Sequence, residues 1–157
     1  MTNEKKQAFT LRITSANSTE LIEILYEMLL EYVDDAKAAI EKNDINEIHD
    51  SIRKARGCLR ELMESIDFEY DLAGYFMSLY AYVNKELLLA EIRKDVKIFD
   101  NVKVVIEPLR DTYIELAKLD KSEPVMQNTQ KVTAGLTYSK GNINESLDEQ
   151  SNRGFYV

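Results

Sequence analysis

Between Leu21 and Leu116 the apolar residues of this chain recur at steps of three and four, in four separate runs. Leu21, Leu25, Met28, Leu29, Tyr32, Ala36 and Ile40 form the first. On a helix of about 3.6 residues per turn they fall on one face. Asn17 precedes them as a cap for free backbone N–H groups, and Glu20, three residues on, is the acid of a capping box. The pattern predicts a helix from Ser18 to Lys42. Asn43-Asp44 breaks it, and Asp44 with Glu47 repeats the box at the head of a second run, Ile45, Ile48, Ile52, Ala55, Leu59, Leu62 and Ile66. These alternate steps of three and four without a miss, the spacing of a coiled-coil-like seam.

After Asp67-Phe68-Glu69 a third stripe runs through Leu72, Phe76, Leu79, Val83, Leu87 and Ala90, widened by Tyr75, Tyr80 and Tyr82 and closed by Lys94-Asp95. Ile98, Val102, Val105, Leu109, Tyr113 and Leu116 make the fourth, with Pro108 inside it. Proline lacks the amide proton and crowds the carbonyl four residues back, so a kink near Val104 is expected. The stripe resumes in phase beyond Pro108, which argues for a helix and against a strand at Val104-Val105-Ile106. Gly and Pro number only five and two, and three of the glycines, Gly135, Gly141 and Gly154, lie in the last quarter with Pro124. Long helices joined by short connections pack as antiparallel neighbours. The reading is an all-α, antiparallel up-down four-helix bundle over residues 18–120, with an N-terminal cap segment at 1–17 and a poorly structured polar tail at 121–157.

Composition narrows the functions such a bundle can have. A chain of 157 residues carries one ordinary core. Twenty basic against 28 acidic residues leave a charge of −8, which opposes nucleic acid and anionic lipid. The densest basic stretches, Lys5-Lys6 and Arg53-Lys54-Ala55-Arg56, read as solvated helix face. No apolar leader and no stretch near the roughly 18 apolar residues of a membrane span is present, so no membrane insertion and a cytoplasmic location are expected. Cys58 is the single cysteine, which excludes an intrachain disulfide, and within a helix it reads as buried filler.

Catalytic and metal chemistry find no residues to carry them. His49 is the only histidine and sits one position past the seam. It cannot supply the paired Glu-x-x-His motifs of a di-iron bundle. Asp67, Glu69 and Asp71 lack the spacing and glycine of a calcium loop. No glycine-rich phosphate loop follows a strand. Neither an enzyme, a cofactor nor a bound metal is expected. Tyrosine is the exception in this composition: of nine, Tyr70, Tyr75, Tyr80 and Tyr82 fall within thirteen residues. Bundle edge and binding surface are both open readings for them.

The order of motifs resembles the flagellin export chaperone family, FliS. Ser15-Ala16-Asn17-Ser18 with Leu21-Ile22-Glu23-Ile24-Leu25-Tyr26 is similar to the family's opening cap and Leu-Ile-x-x-Leu-Tyr. Ala38 to Ile45 looks like its first interhelical turn and Glu61 to Asp67 like the end of its second helix. Leu79-Tyr80-Ala81-Tyr82 is similar to its Leu-Tyr-x-Tyr, Ala90 to Asp95 to its third turn, and Leu109 to Tyr113 to its closing helix. The resemblance covers about Ile13 to Lys118. Two positions depart from it: Glu27-Met28 stands where the family has Asp-Gly, and Phe9 lies near the place of an N-terminal tyrosine.

What the resemblance implies is a cytoplasmic chaperone that binds the disordered C-terminal segment of flagellin, prevents early polymerisation and passes the subunit to the export apparatus, without a cofactor. The residues it implies for the client groove are Leu21, Leu25, Tyr26, Leu79, Tyr80 and Tyr82, and for a displaceable lid Phe9, Leu11 and Ile13. The alternative is a helical interaction module with a different partner, a homodimer among the possibilities. In the tail, Leu136, Tyr138, Phe155 and Tyr156 are candidates to enter the same groove.

Overall fold

The computed structural model describes residues 1–126. They form five helices: α1 (Asn3–Ser15), α2 (Ser18–Glu41), α3 (Ile45–Glu64), α4 (Ala73–Arg93) and α5 (Ile98–Leu119). Phe155, Tyr156 and the other apolar residues of the tail lie outside the described residues.

Local chemistry accounts for where the helices begin. Both halves of the capping box at α2 are made: the Glu20 amide donates to Asn17 Oδ1 at 2.9 Å and the Asn17 amide to Glu20 Oε2 at 2.9 Å. At α3 only Asp44 caps, accepting from the Glu47 amide at 3.1 Å. Glu47 turns instead to the Ser51 hydroxyl, at 3.4 Å. α4 and α5 begin without a side-chain cap. Two residues leave right-handed backbone, Asn43 at φ 54° and Lys94 at φ 50°, and they end α2 and α4. α5 runs through Pro108 as one helix, with Val104 and Pro108 on its solvent side. Water can therefore satisfy the Val104 carbonyl that the proline leaves without a donor.

α2 packs against α3 and α5, and α4 closes the ring by packing against the same two. This is the up-down bundle that short connections demand. Its centre is formed by Tyr26, Leu29 and Val33 of α2, Ile52, Leu59 and Leu62 of α3, Val83 and Leu87 of α4, and Phe99, Val102 and Ile106 of α5, all 1% exposed or less. Ile24, Leu30 and Val33 on α2, and Phe99 and Ile106 on α5, are buried although they stand off the single stripes. α2 has neighbours on three sides, so its buried arc is wider than one stripe. Among the described residues no buried side-chain polar atom lacks a partner. Glu86, 7% exposed, accepts from Asn101 Nδ2 at 2.8 Å and so ties α4 to α5.

The N-terminal segment is a helix, which periodicity did not predict. α1 buries none of its residues and packs mainly against α2. Charge holds it there. Lys5 Nζ reaches Glu31 at 2.7 Å, and Arg12 bridges Glu23, at 2.9 Å, and Glu27. The Arg12 guanidinium also lies 5.8 Å from the Phe9 ring centre. No described helix is long and apolar enough to cross a membrane, and no described residues gather as a metal-binding group.

Candidate binding groove

The start of α2, the end of α3, the start of α4 and the end of α5 meet at one end of the bundle, where the regular packing layers run out. There Ile22, Ile66, Leu72, Phe76, Tyr80 and Tyr113 line an open cleft of about 540 Å³, with Asp67 and Asp71 on its rim. A second hollow of about 420 Å³ shares Ile22, Ser65 and Tyr113. It carries the groove along α2 past Leu21 and Leu25, with Glu61 on the facing edge. The α3–α4 connection does not close over the cleft. Phe68 (67% exposed) and Tyr75 (62%) stand out beside it, and Tyr70 (72%) and Leu72 (62%), themselves part of the lining, stay largely in solvent. A cluster of large apolar groups left in water beside a concave apolar wall is the signature of a surface that expects a partner.

The floor is a set of tyrosines. The hydroxyls of Tyr26 and Tyr80 share a hydrogen bond at 2.5 Å, and the Tyr26 ring meets that of Tyr113 edge-on, centroids 5.6 Å apart. Phe76 leans on Tyr80 with centroids 6.2 Å apart. Burial disfavours the phenolate, so it raises all three phenols. Tyr80 is pushed up to about 12 against the opposing hydrogen bond from Tyr26, while Tyr26 and Tyr113 move the same way. These groups are neutral at physiological pH and present ring and hydroxyl rather than charge. Negative charge is confined to the rim, at Glu61, Asp67 and Asp71.

Neither the single cysteine nor the single histidine stands in this groove. The Cys58 thiol is buried on α3, pushed up to about 12 by desolvation, and lines neither hollow. His49 is exposed and pairs through Nδ1 with Glu91 at 2.7 Å, also outside the groove.

Of the residues singled out from sequence, Leu21, Leu25 and Tyr80 line the groove. Tyr26 is fully buried and supports the groove from beneath through Tyr80. Leu79 is half-buried and Tyr82 41% exposed, both on α4 outside the two hollows. Phe9 is half-buried over a different cleft, between α2 and α5, bounded by Leu30, Lys103, Arg110 and Ile114. Leu11 is exposed and Ile13 half-buried, and neither lines the aromatic groove. Ile22, Ile66, Leu72, Phe76 and Tyr113 form the groove without having been singled out. Ile66, Leu72, Phe76 and Tyr113 sit toward the ends of their stripes, and Ile22 stands off the first one.

Compared with known families, residues 1–120 match the one described as flagellar protein FliS. The chain belongs to the FliS family. Among FliS relatives, the flagellar secretion chaperone FliS of Bacillus subtilis (strain 168) is 22% identical over 111 residues, which is 71% of this chain and 84% of the relative. The flagellar secretion chaperone FliSB of Pseudomonas aeruginosa is 32% identical over 97 residues, 60% of this chain and 77% of the relative. The FliS match takes in α1 to α5 and the whole lining of the groove, and it ends at Asp120. That residue is pinned: its carboxylate accepts from the Thr19 hydroxyl and from the Ser122 amide, which lower its pKa to about 2.

Proposed function

We propose that this chain is a non-enzymatic, cytoplasmic flagellar secretion chaperone that holds the disordered C-terminal segment of flagellin in the aromatic groove. Holding that segment keeps subunits from polymerising early and keeps them presentable to the export apparatus. The observation that carries the reading is the groove itself. A family whose relatives are named secretion chaperones has here an exposed, tyrosine-floored apolar cleft. A disordered client that folds on binding loses ordering entropy, and apolar anchors spaced along an amphipathic segment offset it when they enter a preformed groove. The acidic rim favours a segment with basic residues at its flanks. α1, held by ion pairs with nothing buried, suits a lid that client displaces from the neighbouring α2–α5 cleft.

Calorimetric titration with a peptide of the last 40 to 50 or so residues of the same organism's flagellin tests this, since a client that folds on binding is expected to give a large heat. Saturable one-to-one binding is expected. Tyr70→Ala and Leu72→Ala, both at exposed positions, should weaken it about tenfold without moving the thermal melt. Absence of heat at several temperatures from a folded protein overturns the proposal.

A further inference from the structure

The chain does not leave α5 for open solvent. Past Leu119 it turns back along the start of α2: Asp120 is bound to Thr19, its backbone carbonyl accepts from Asn17 Nδ2 at 3.5 Å, and the Val125 amide donates to the Ala16 carbonyl at 3.1 Å. Ser18 and Thr19 line the outer hollow of the groove. At Val125 the chain therefore lies beside Ala16, two residues before Ser18 at the edge of that hollow, and Val125 (45%) and Met126 (38%) are exposed.

The sequence that follows fits what lies beside it. Val132, Leu136 and Tyr138 are its first large apolar residues, and Lys131 and Lys140 flank them. No Asp or Glu occurs from Val125 until Glu145, in a chain whose net charge is −8. An apolar segment with basic flanks is complementary to an apolar groove rimmed by Glu61, Asp67 and Asp71. Reach is ample, since ten extended residues span roughly 33 Å and one helix with its side chains only about 10 Å.

We propose that residues 132–138 of this same chain seat in the aromatic groove when no client is bound, so that tail and client compete for it. The proposal rests on the groove being the client site. Covalent attachment through a few residues gives the tail an effective concentration in the millimolar range, so a contact too weak to matter between separate molecules still fills the groove. A client then meets only the open fraction, and its apparent affinity falls by that fraction. The tail lies beyond the residues matched to FliS, so the competition uses a segment outside the matched bundle.

The experiment compares the full chain with a Leu136→Asp, Tyr138→Asp variant, two positions outside α1 to α5. Hydrogen exchange at the amides of Tyr70 to Phe76 needs no client. It should be severalfold faster in the variant, and equal rates overturn the proposal. Protection that appears only as protein concentration rises also overturns it, because a second copy is then the occupant. In titrations with the flagellin peptide the variant should bind about threefold to tenfold more tightly. Equal or weaker affinity counts against competition. If neither chain binds the peptide, the chaperone reading falls, while the exchange rates still decide whether the tail covers the groove.

Discussion

Tyr26 and Tyr80 place two hydroxyls in a buried setting where, among the described residues, each is the other's only side-chain hydrogen-bond partner. Removing one strands the other, and a buried polar group left without a partner costs about 1–3 kcal/mol. Tyr26→Phe and Tyr80→Phe should each lose stability on that scale in urea denaturation. The double variant should lose less than the sum of the two, because neither hydroxyl is then stranded. The same pair sets a pH limit. A phenol whose pKa rises from 10 to about 12 on folding contributes stability that is complete below pH 10 and lost as the pH climbs through 12. Phenolate absorbance should accordingly develop late for these two rings. Lys94 offers the opposite case, a residue held at φ 50° where glycine carries no steric penalty. Lys94→Gly should stabilise the fold by about 1 kcal/mol, read from the denaturation midpoint.

Among the elements, α1 is the one fastened by charge. Raising ionic strength from about 0.1 M to 1 M shortens the screening length from roughly 10 Å to 3 Å, which weakens exposed pairs such as Lys5–Glu31 far more than buried packing. Salt should therefore speed amide exchange across Asn3–Ser15 and leave α2 to α5 unchanged, and Arg12→Glu should do the same at low salt. This is also why α1 was illegible in the sequence. A helix that buries nothing writes no apolar stripe, whereas the four that bury a face wrote theirs from Leu21 to Leu116. Capping chemistry was legible at Asn17 and Asp44 and silent at α4 and α5, which have no side-chain cap, while the cap of α1, where the Thr2 hydroxyl accepts from the Lys5 amide, had no stripe after it to point it out. The groove was half legible. Leu21, Leu25 and Tyr80 came from the resemblance, but stripe residues at helix ends, such as Ile66, Phe76 and Tyr113, look the same in sequence whether the next layer covers them or not.

For the molecule as a whole, Asp120 is the stitch between the last helix and the first of the bundle. Its carboxyl is held near 2 by hydrogen bonds from Ser122 and Thr19, against 3.8 when free. The stability it contributes is therefore present above about pH 4 and disappears as the pH falls through 2. Asp120→Asn should flatten that part of the acid unfolding curve and leave the neutral region with a smaller, pH-independent loss. The stitch also joins two segments that are far apart along the chain. α2 pairs with α3 across a connection of three residues, Lys42 to Asp44, but with α5 only after α3 and α4 have intervened. Local pairings form first and distant ones last. Ile22 and Tyr113, on opposite walls of the groove, belong to that last pairing. During synthesis, then, a nascent chain carrying α2, α3 and α4 already has most of its core but no completed pocket. On the function proposed above, the capacity to hold a client would be acquired only when α5 emerges and docks, so half-made copies of this protein would not sequester the subunits that finished copies serve.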